Sequence, residues 1–259
     1  ARTPMGGMMG ELSSVRSPDL GATAIKAAIE RSGLQPADIQ EVVMGCVLPA
    51  GLGQAPARQA SRASGIPDSS GCTTVNKMCG SGMQAVIMAH DQIKAGTNNI
   101  MIAGGMENMS QAPYLLPKAR AGMRMGHGEV QDHMFLDGLE DAETGRLMGA
   151  FAQDTADQKG YSREDMDNYA IQSLKRAKSA IEQGLLKDEI VPVTVRSRKG
   201  DVVEEQFGVK VADPYRWLEN DVREDPEVAA WVQSEVDTTN AYLATLPGRD
   251  ALAQRMKQL

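Results

Sequence analysis

Cysteine is scarce. Cys46, Cys72 and Cys79 are the whole complement, and no two of them form a CxxC pair. An odd, sparse set supplies neither a disulfide framework nor a zinc site, so no metal is expected, and it fits a reducing compartment. No apolar run is long enough to span a bilayer. The opening stretch ARTPMGGMMGELSS has no apolar core of signal-peptide length. These absences point to the cytoplasm. Positive charge is also short, with 27 Lys and Arg against 34 Asp and Glu, a net charge of −7. That balance argues against nucleic acid or an anionic membrane as the main partner, while leaving room for one local basic pocket. Only three histidines are present to serve as bases. Repeats and low-complexity tracts are missing. What remains, 259 residues at 42% hydrophobic and 24% charged, is ordinary for a globular chain of one large or two smaller domains.

Against this background the stretch TTVNKMCGSGMQAVI, residues 73–87, stands out. A β-branched run leads through a turn to Cys79, then Gly80-Ser81-Gly82, then an apolar run that reads as a helix. Cys79 therefore falls at a strand-to-helix switch beside a helix N-terminus, where unpaired N–H groups favour a thiolate. The flanking glycines leave the sulfur uncovered. A buried structural cysteine is the plainer reading of the same residue.

The elements around it alternate. Ser17-Pro18-Asp19 has the chemistry of a helix start, with Ser17 as cap, and Gly33 of a stop. EVVMGCV, residues 41–47, reads as a buried strand, residues 55–64 as a short helix, and NIMIA, residues 99–103, as the next strand. The helix after Cys79 is apolar nearly all round at first, so the pattern predicts a central, buried helix. Strand, crossover helix and strand imply an α/β fold with a mixed, largely parallel sheet whose strand ends carry the functional loops. Residues 106–160 are rich in Met, Gly and Pro and poor in periodicity, as functional loop segments often are. Ser162 and Asp165 approximate a capping box for an amphipathic helix with Met166, Tyr169, Leu174 and Ile181 on one face. Val191, Val193 and Val195 alternate as in a half-buried strand, and Lys199-Gly200 is a turn. Composition then shifts near Val203: both tryptophans, Trp217 and Trp231, follow it. The tail reads as helical, with Val228, Trp231, Val232 and Val236 on one stripe and Leu252, Met256 and Leu259 on another.

VNKMCGSGMQAV resembles the nucleophile segment of the thiolases, the acetyl-CoA acyltransferase family. The neighbouring pieces agree and occur in family order: ARTPMGG at 1–7, SPDLGATAIKAA at 17–28, GLGQAPARQA at 51–60, AGGMENMSQAPYLL at 103–116 and GRLMG at 145–149. Five or more ordered motifs over residues 1–203 are far more specific than any single one. The resemblance implies a thiolase N-terminal α/β half over 1–103, lacking its first strand, and an inserted loop domain over 104–203. Residues 204–259 form a helical tail, in which VADPYRWLE and its surroundings, about 207–255, resemble the start of a prolyl oligopeptidase. The segment brings no Ser, Asp, His triad, and the chain reads as a fusion of two unrelated starts.

In the family the cysteine matching Cys79 attacks an acyl-CoA and carries the acyl group as a thioester. No permanent cofactor is implied, only the coenzyme A thioester as substrate, and the intact family forms homo-oligomers. Met148 matches an acyl-pocket methionine, with Leu147 before it where many thiolases have histidine. Lys118, Arg120 and Arg124 form a basic cluster in a loop near bound coenzyme A, where phosphate attraction is the functional reading and a solvated loop the plain one. The family's second cysteine, its Gly-His-Pro histidine and the nearby asparagine belong to a second half, and none of those motifs is found here. His90 would sit about 16 Å along the helix from Cys79, too far to serve it. His127 and His133 read as solvated loop histidines. Gly104 to Ser110 follows a strand but matches no nucleotide-binding fingerprint. Two functions follow: acyl transfer through Cys79, or a non-catalytic fragment or fusion acting as an oligomerisation or binding module. The second expects exposed apolar surface on the helix beginning near Gly82.

Overall fold

The computed structural model describes residues 1–197, 200–204 and 222–245. It divides into two compact units, Ala1–Lys210 and Val211–Leu259.

The first unit is built on a parallel sheet in the order β2-β1-β3, with β1 at Glu41–Gly45, β2 at Gly71–Val75 and β3 at Met101–Gly105. β1 is central and pairs in register with both neighbours, Val43 opposite Thr73 on one side and Ala103 on the other. Its residues Val42 and Val43 are fully buried although they point to opposite faces, as a strand covered on both sides requires. Val42 and Met44 face a core with Ile25 and Ile29 of α1 (Ser17–Ser32) and Ala57 and Ala60 of α2 (Pro56–Ala63). α3 (Ser81–Lys94) takes the other face and packs on β1 and β3. The α/β expectation with a parallel sheet is met.

Two details of the sequence reading are corrected. Ser17 is buried inside the first turn of α1 and the cap position falls to Arg16, whose Nη2 is spent on the Leu52 carbonyl at 2.6 Å. More importantly, α3 is not a buried central helix. Only Ser81, Ala85 and Ala89 are buried, whereas Met83, Val86 and Ile87 are 72%, 55% and 44% exposed. A helical pattern reports which residues are apolar but not whether anything covers them.

The segment beyond β3 is irregular, as its composition implied. It holds a short antiparallel pair, β4 (Tyr114–Leu115) with β5 (Gln131–Asp132), a π-helical turn at Phe135–Leu139, and then α4 (Met148–Lys159) and α5 (Arg163–Glu182). The Ser162–Asp165 capping box is present on both sides: Ser162 Oγ accepts from the Asp165 N–H, and the carboxylate accepts from the Ser162 N–H at 2.9 Å. The apolar stripe of α5 nevertheless stays open, with no buried residue on the helix. A hairpin of β6 (Val193–Ser197) and β7 (Gly200–Glu204) closes the described part of this unit, and Val191 and Val193 are buried while Thr194 is exposed.

In the second unit α6 (Pro226–Ala244) starts where Asp225-Pro226-Glu227 predicted, the Asp225 carboxylate accepting from the Glu227 N–H at 2.9 Å. Val228 is its buried residue; Trp231, Val232 and Val236 are exposed. Trp217, the VADPYRWLE stretch, Lys199, Leu252, Met256 and Leu259 lie outside the described residues. No described helix is long and apolar enough to cross a membrane.

Candidate active site

The turn between β2 and α3 is held by short polar side chains. Asn76 Oδ1 accepts from the Met78 N–H at 3.0 Å, and Ser81 Oγ accepts from the Lys77 N–H at 2.8 Å while donating back to the Met78 carbonyl. Ser81 is 4% exposed, so its half of the clamp is shielded from water, while the Asn76–Met78 bond is exposed. Met78 sits in the left-handed region at φ 50°, a strained choice for a side chain of that size. Cys79 follows this strained residue and is exposed.

Glycine at two strand ends brings this turn onto the sheet. A Cβ at Gly45 would stand 2.6 Å from the Ser81 carbonyl carbon and 2.7 Å from the Gly82 nitrogen. At Gly105 it would stand 3.4 Å from the Gly82 Cα. The start of α3 therefore rests directly on the ends of β1 and β3. A cleft of about 390 Å3 opens there, and Cys79 shares it with Cys46, Val47, Leu48, Glu107 and Leu139.

Sequence reasoning missed the polar floor of this cleft. Glu107, just beyond β3, accepts from the Val47 N–H at 2.7 Å and the Leu48 N–H at 3.3 Å, with Cys46 Sγ at 4.0 Å. Burial pushes its carboxyl above the usual range, while those two N–H groups and the nearby His133 pull the other way. Burial, aided by the Glu107 charge, pushes the Cys46 thiol up to about 11. His133 corrects the expectation of a solvated loop histidine. It is 4% exposed, with Nδ1 2.6 Å from Asp137 Oδ2 and Nε2 accepting from the Ala50 N–H at 3.4 Å. The signals were a lone acid in an apolar Gly-Met loop and a His and Asp four residues apart, one helical turn.

The remaining candidates lie elsewhere. Lys118 and Arg124 line a separate cleft of about 250 Å3 together with His127, and Arg120, on the adjoining turn, does not line it. Leu147 and Met148 begin α4, both about half exposed, and neither lines the Cys79 cleft. Leu147 does pair with Glu140, next to the cleft residue Leu139. His90 is exposed and bonded to its neighbour Asp91. Among the described residues Cys79 Sγ makes no hydrogen bond, to a base or any other group.

The two cleft cysteines should behave oppositely. At about pH 8 a small alkylating agent is expected to label Cys79 in the folded protein and spare Cys46. The Cys46 value in the fold lies above its ordinary one, so its share of stability is complete below about pH 9 and disappears as pH rises through about 11. A urea midpoint that falls over that window, and falls less in Cys46→Ala, checks this.

A thiolase N-terminal domain model matches residues 1–213, and a model of the prolyl oligopeptidase N-terminal beta-propeller domain matches residues 194–259. Acetyl-CoA acetyltransferase 2 of Arabidopsis thaliana is 45% identical over 258 residues, 97% of this chain and 64% of that protein. Acetyl-CoA acetyltransferase IB of Candida tropicalis is 47% identical over 201 residues, 77% of this chain and 50% of that protein. Among solved structures, Acat5 thiolase from Ascaris suum in complex with coenzyme A superposes with a TM-score of 0.72 at 41% identity, covering 74% of this chain and 50% of that one. The chain thus spans between half and 64% of the length of these relatives. With the strand, turn and cysteine of the candidate site inside a match that takes in most of its length, the chain belongs to the thiolase family.

Proposed function

We propose that this chain carries the acyl-accepting half of a thiolase-type transfer between acyl-CoA and coenzyme A or acetyl-CoA. The observation that carries the reading is Cys79, exposed on a strained turn at the start of α3 and opening into a cleft at the strand ends. The Cys79 thiolate attacks the acyl-CoA carbonyl; a new carbon–sulfur bond forms, the old one breaks, and coenzyme A leaves as its thiolate. The backbone N–H of Cys79 would supply half of an oxyanion hole for the negative charge that builds on the carbonyl oxygen, the Gly80 and Ser81 N–H groups being spent on the Lys77 and Met78 carbonyls. Lys118 and Arg124, facing one cleft, suit the phosphates of coenzyme A, with Arg120 nearby. Leu147 and Met148, outside the Cys79 cleft but joined to its edge through the Leu147–Glu140 pairing beside Leu139, would meet an acyl chain that extends beyond it. Three free cysteines fit a reducing, cytoplasmic setting; the family's second half would supply the proton-transfer groups, and a homo-oligomer would be the assembly.

Incubation with acetyl-CoA followed by peptide mass spectrometry tests this. An acetyl group on Cys79 is expected, removed by hydroxylamine and absent from Cys79→Ala. No adduct at Cys79, or the same total adduct in the variant, would overturn it. That outcome favours the second reading, a non-catalytic module, for which the open apolar face of α3 speaks, as does the Cys79 sulfur having no hydrogen-bond partner among the described residues.

A further inference from the structure

A continuous run of hydrogen bonds joins Glu107 to the nucleophile turn. The Glu107 carboxylate takes the Val47 N–H at 2.7 Å. The Val47 carbonyl takes Asn76 Nδ2 at 3.3 Å, and Asn76 Oδ1 takes the Met78 N–H at 3.0 Å, one residue before Cys79. The exits of all three strands are therefore tied in series, β3 through Glu107, β1 through Val47 and β2 through Asn76. Among the described residues no lysine or arginine comes within ion-pair distance of Glu107. The titratable groups that face it are Cys46 from the β1 exit and His133 from the inserted segment, and Leu48 adds a second N–H. A carboxylate left unpaired in a cleft and spent on backbone donors is placed to hold a loop.

We propose that Glu107 and Asn76 are positioning residues for Cys79, acting through the Val47 peptide to fix the strained Met78 turn. The inference rests on Cys79 being the nucleophile of the proposed transfer. Charge matters to the clamp: a carboxylate can accept both the Val47 and Leu48 N–H groups, whereas a carboxyl or a carboxamide turns one donor of its own toward them. Glu107 holds fully where it is ionised, and its grip weakens as pH falls through a value raised above the ordinary carboxylate range.

The test labels the intact chain with methyl methanethiosulfonate, a small neutral thiol reagent, and reads the rate at Cys79 by peptide mass spectrometry. Glu107→Gln and Asn76→Ala are each expected to change that rate about three- to tenfold at about pH 8. The double variant should differ from the more affected single one by less than about twofold, because both break one chain of bonds. The ratio of wild type to Glu107→Gln should approach one as pH falls through the Glu107 titration, and Glu107→Asp should keep that pH dependence. Unchanged rates, effects that multiply, or a ratio constant with pH would overturn the proposal. Should Glu107→Gln fail to fold, the ratio of wild type to Asn76→Ala is read instead, and an unchanged rate or a ratio constant with pH overturns the proposal in the same way. Labelling reads the thiol itself, so a missing acetyl adduct would sink the proposed function and leave this result readable.

Discussion

Replacing Gly45 with alanine is expected to lower stability by about 2 kcal/mol or more and to slow acylation or labelling of Cys79 at least about tenfold. The cause is contact, not backbone freedom. The new methyl would stand 2.6 Å from the Ser81 carbonyl carbon and 2.7 Å from the Gly82 nitrogen, both main-chain atoms at the start of α3. They cannot swing aside as a side chain would, so α3 must lift from β1. Lifting it pulls on Ser81, whose hydroxyl bridges Lys77 and Met78 on either side of the strained φ, and so displaces Cys79. Gly104→Ala is the comparison, since its methyl meets only the flexible Met44 side chain, at 3.4 Å to Sδ. Its cost is expected to stay within about 1 kcal/mol. Urea melts of both variants, with the Cys79 labelling rate beside them, decide the matter. Equal melts for the two would show that α3 does not rest on Gly45.

What the residues reveal in sequence and what they hide follows from the range of the interactions. The β2–Cys79–α3 switch is encoded locally: a β-branched run that favours extended chain, small polar residues that turn it, and glycines that leave room. The Ser162–Asp165 capping box is local too and forms as read. Glu107 gave no such signal, because its meaning lies in Val47 and Leu48, some 60 residues away. His133 looks like any loop histidine until the inserted segment folds it against Ala50. Lys118, Arg120 and Arg124 cluster in sequence, yet backbone geometry turns only two of them into one cleft. The apolar faces of α3 and α5 were read correctly as apolar, but burial needs a second surface, and the pattern of one helix does not contain it.

The exposed face of α3 gives the other large expected effect. Met83, Val86 and Ile87 fall at the i, i+3, i+4 spacing of one stripe, opposite the buried Ala85 and Ala89, and Ile93 extends it by nearly two turns. A contiguous apolar stripe in water binds hydrophobic dyes and lowers solubility. The triple substitution Met83→Glu, Val86→Lys, Ile87→Glu is expected to cut the fluorescence of bound anilinonaphthalene sulfonate by about half or more and to raise the solubility limit severalfold. Stability should hold or rise by a few tenths of a kcal/mol, because Glu and Lys are better helix formers than Val and Ile and no packing is lost on an open face. Of the two new carboxylates, the one at position 83 falls in the first turn, where the helix dipole favours it. A loss of about 2 kcal/mol or more in a urea melt would mean that these side chains are covered in solution. The face would then be part of a core, and Cys79, four residues before Met83 at the head of the same helix, would sit in a more enclosed site than its present exposure shows.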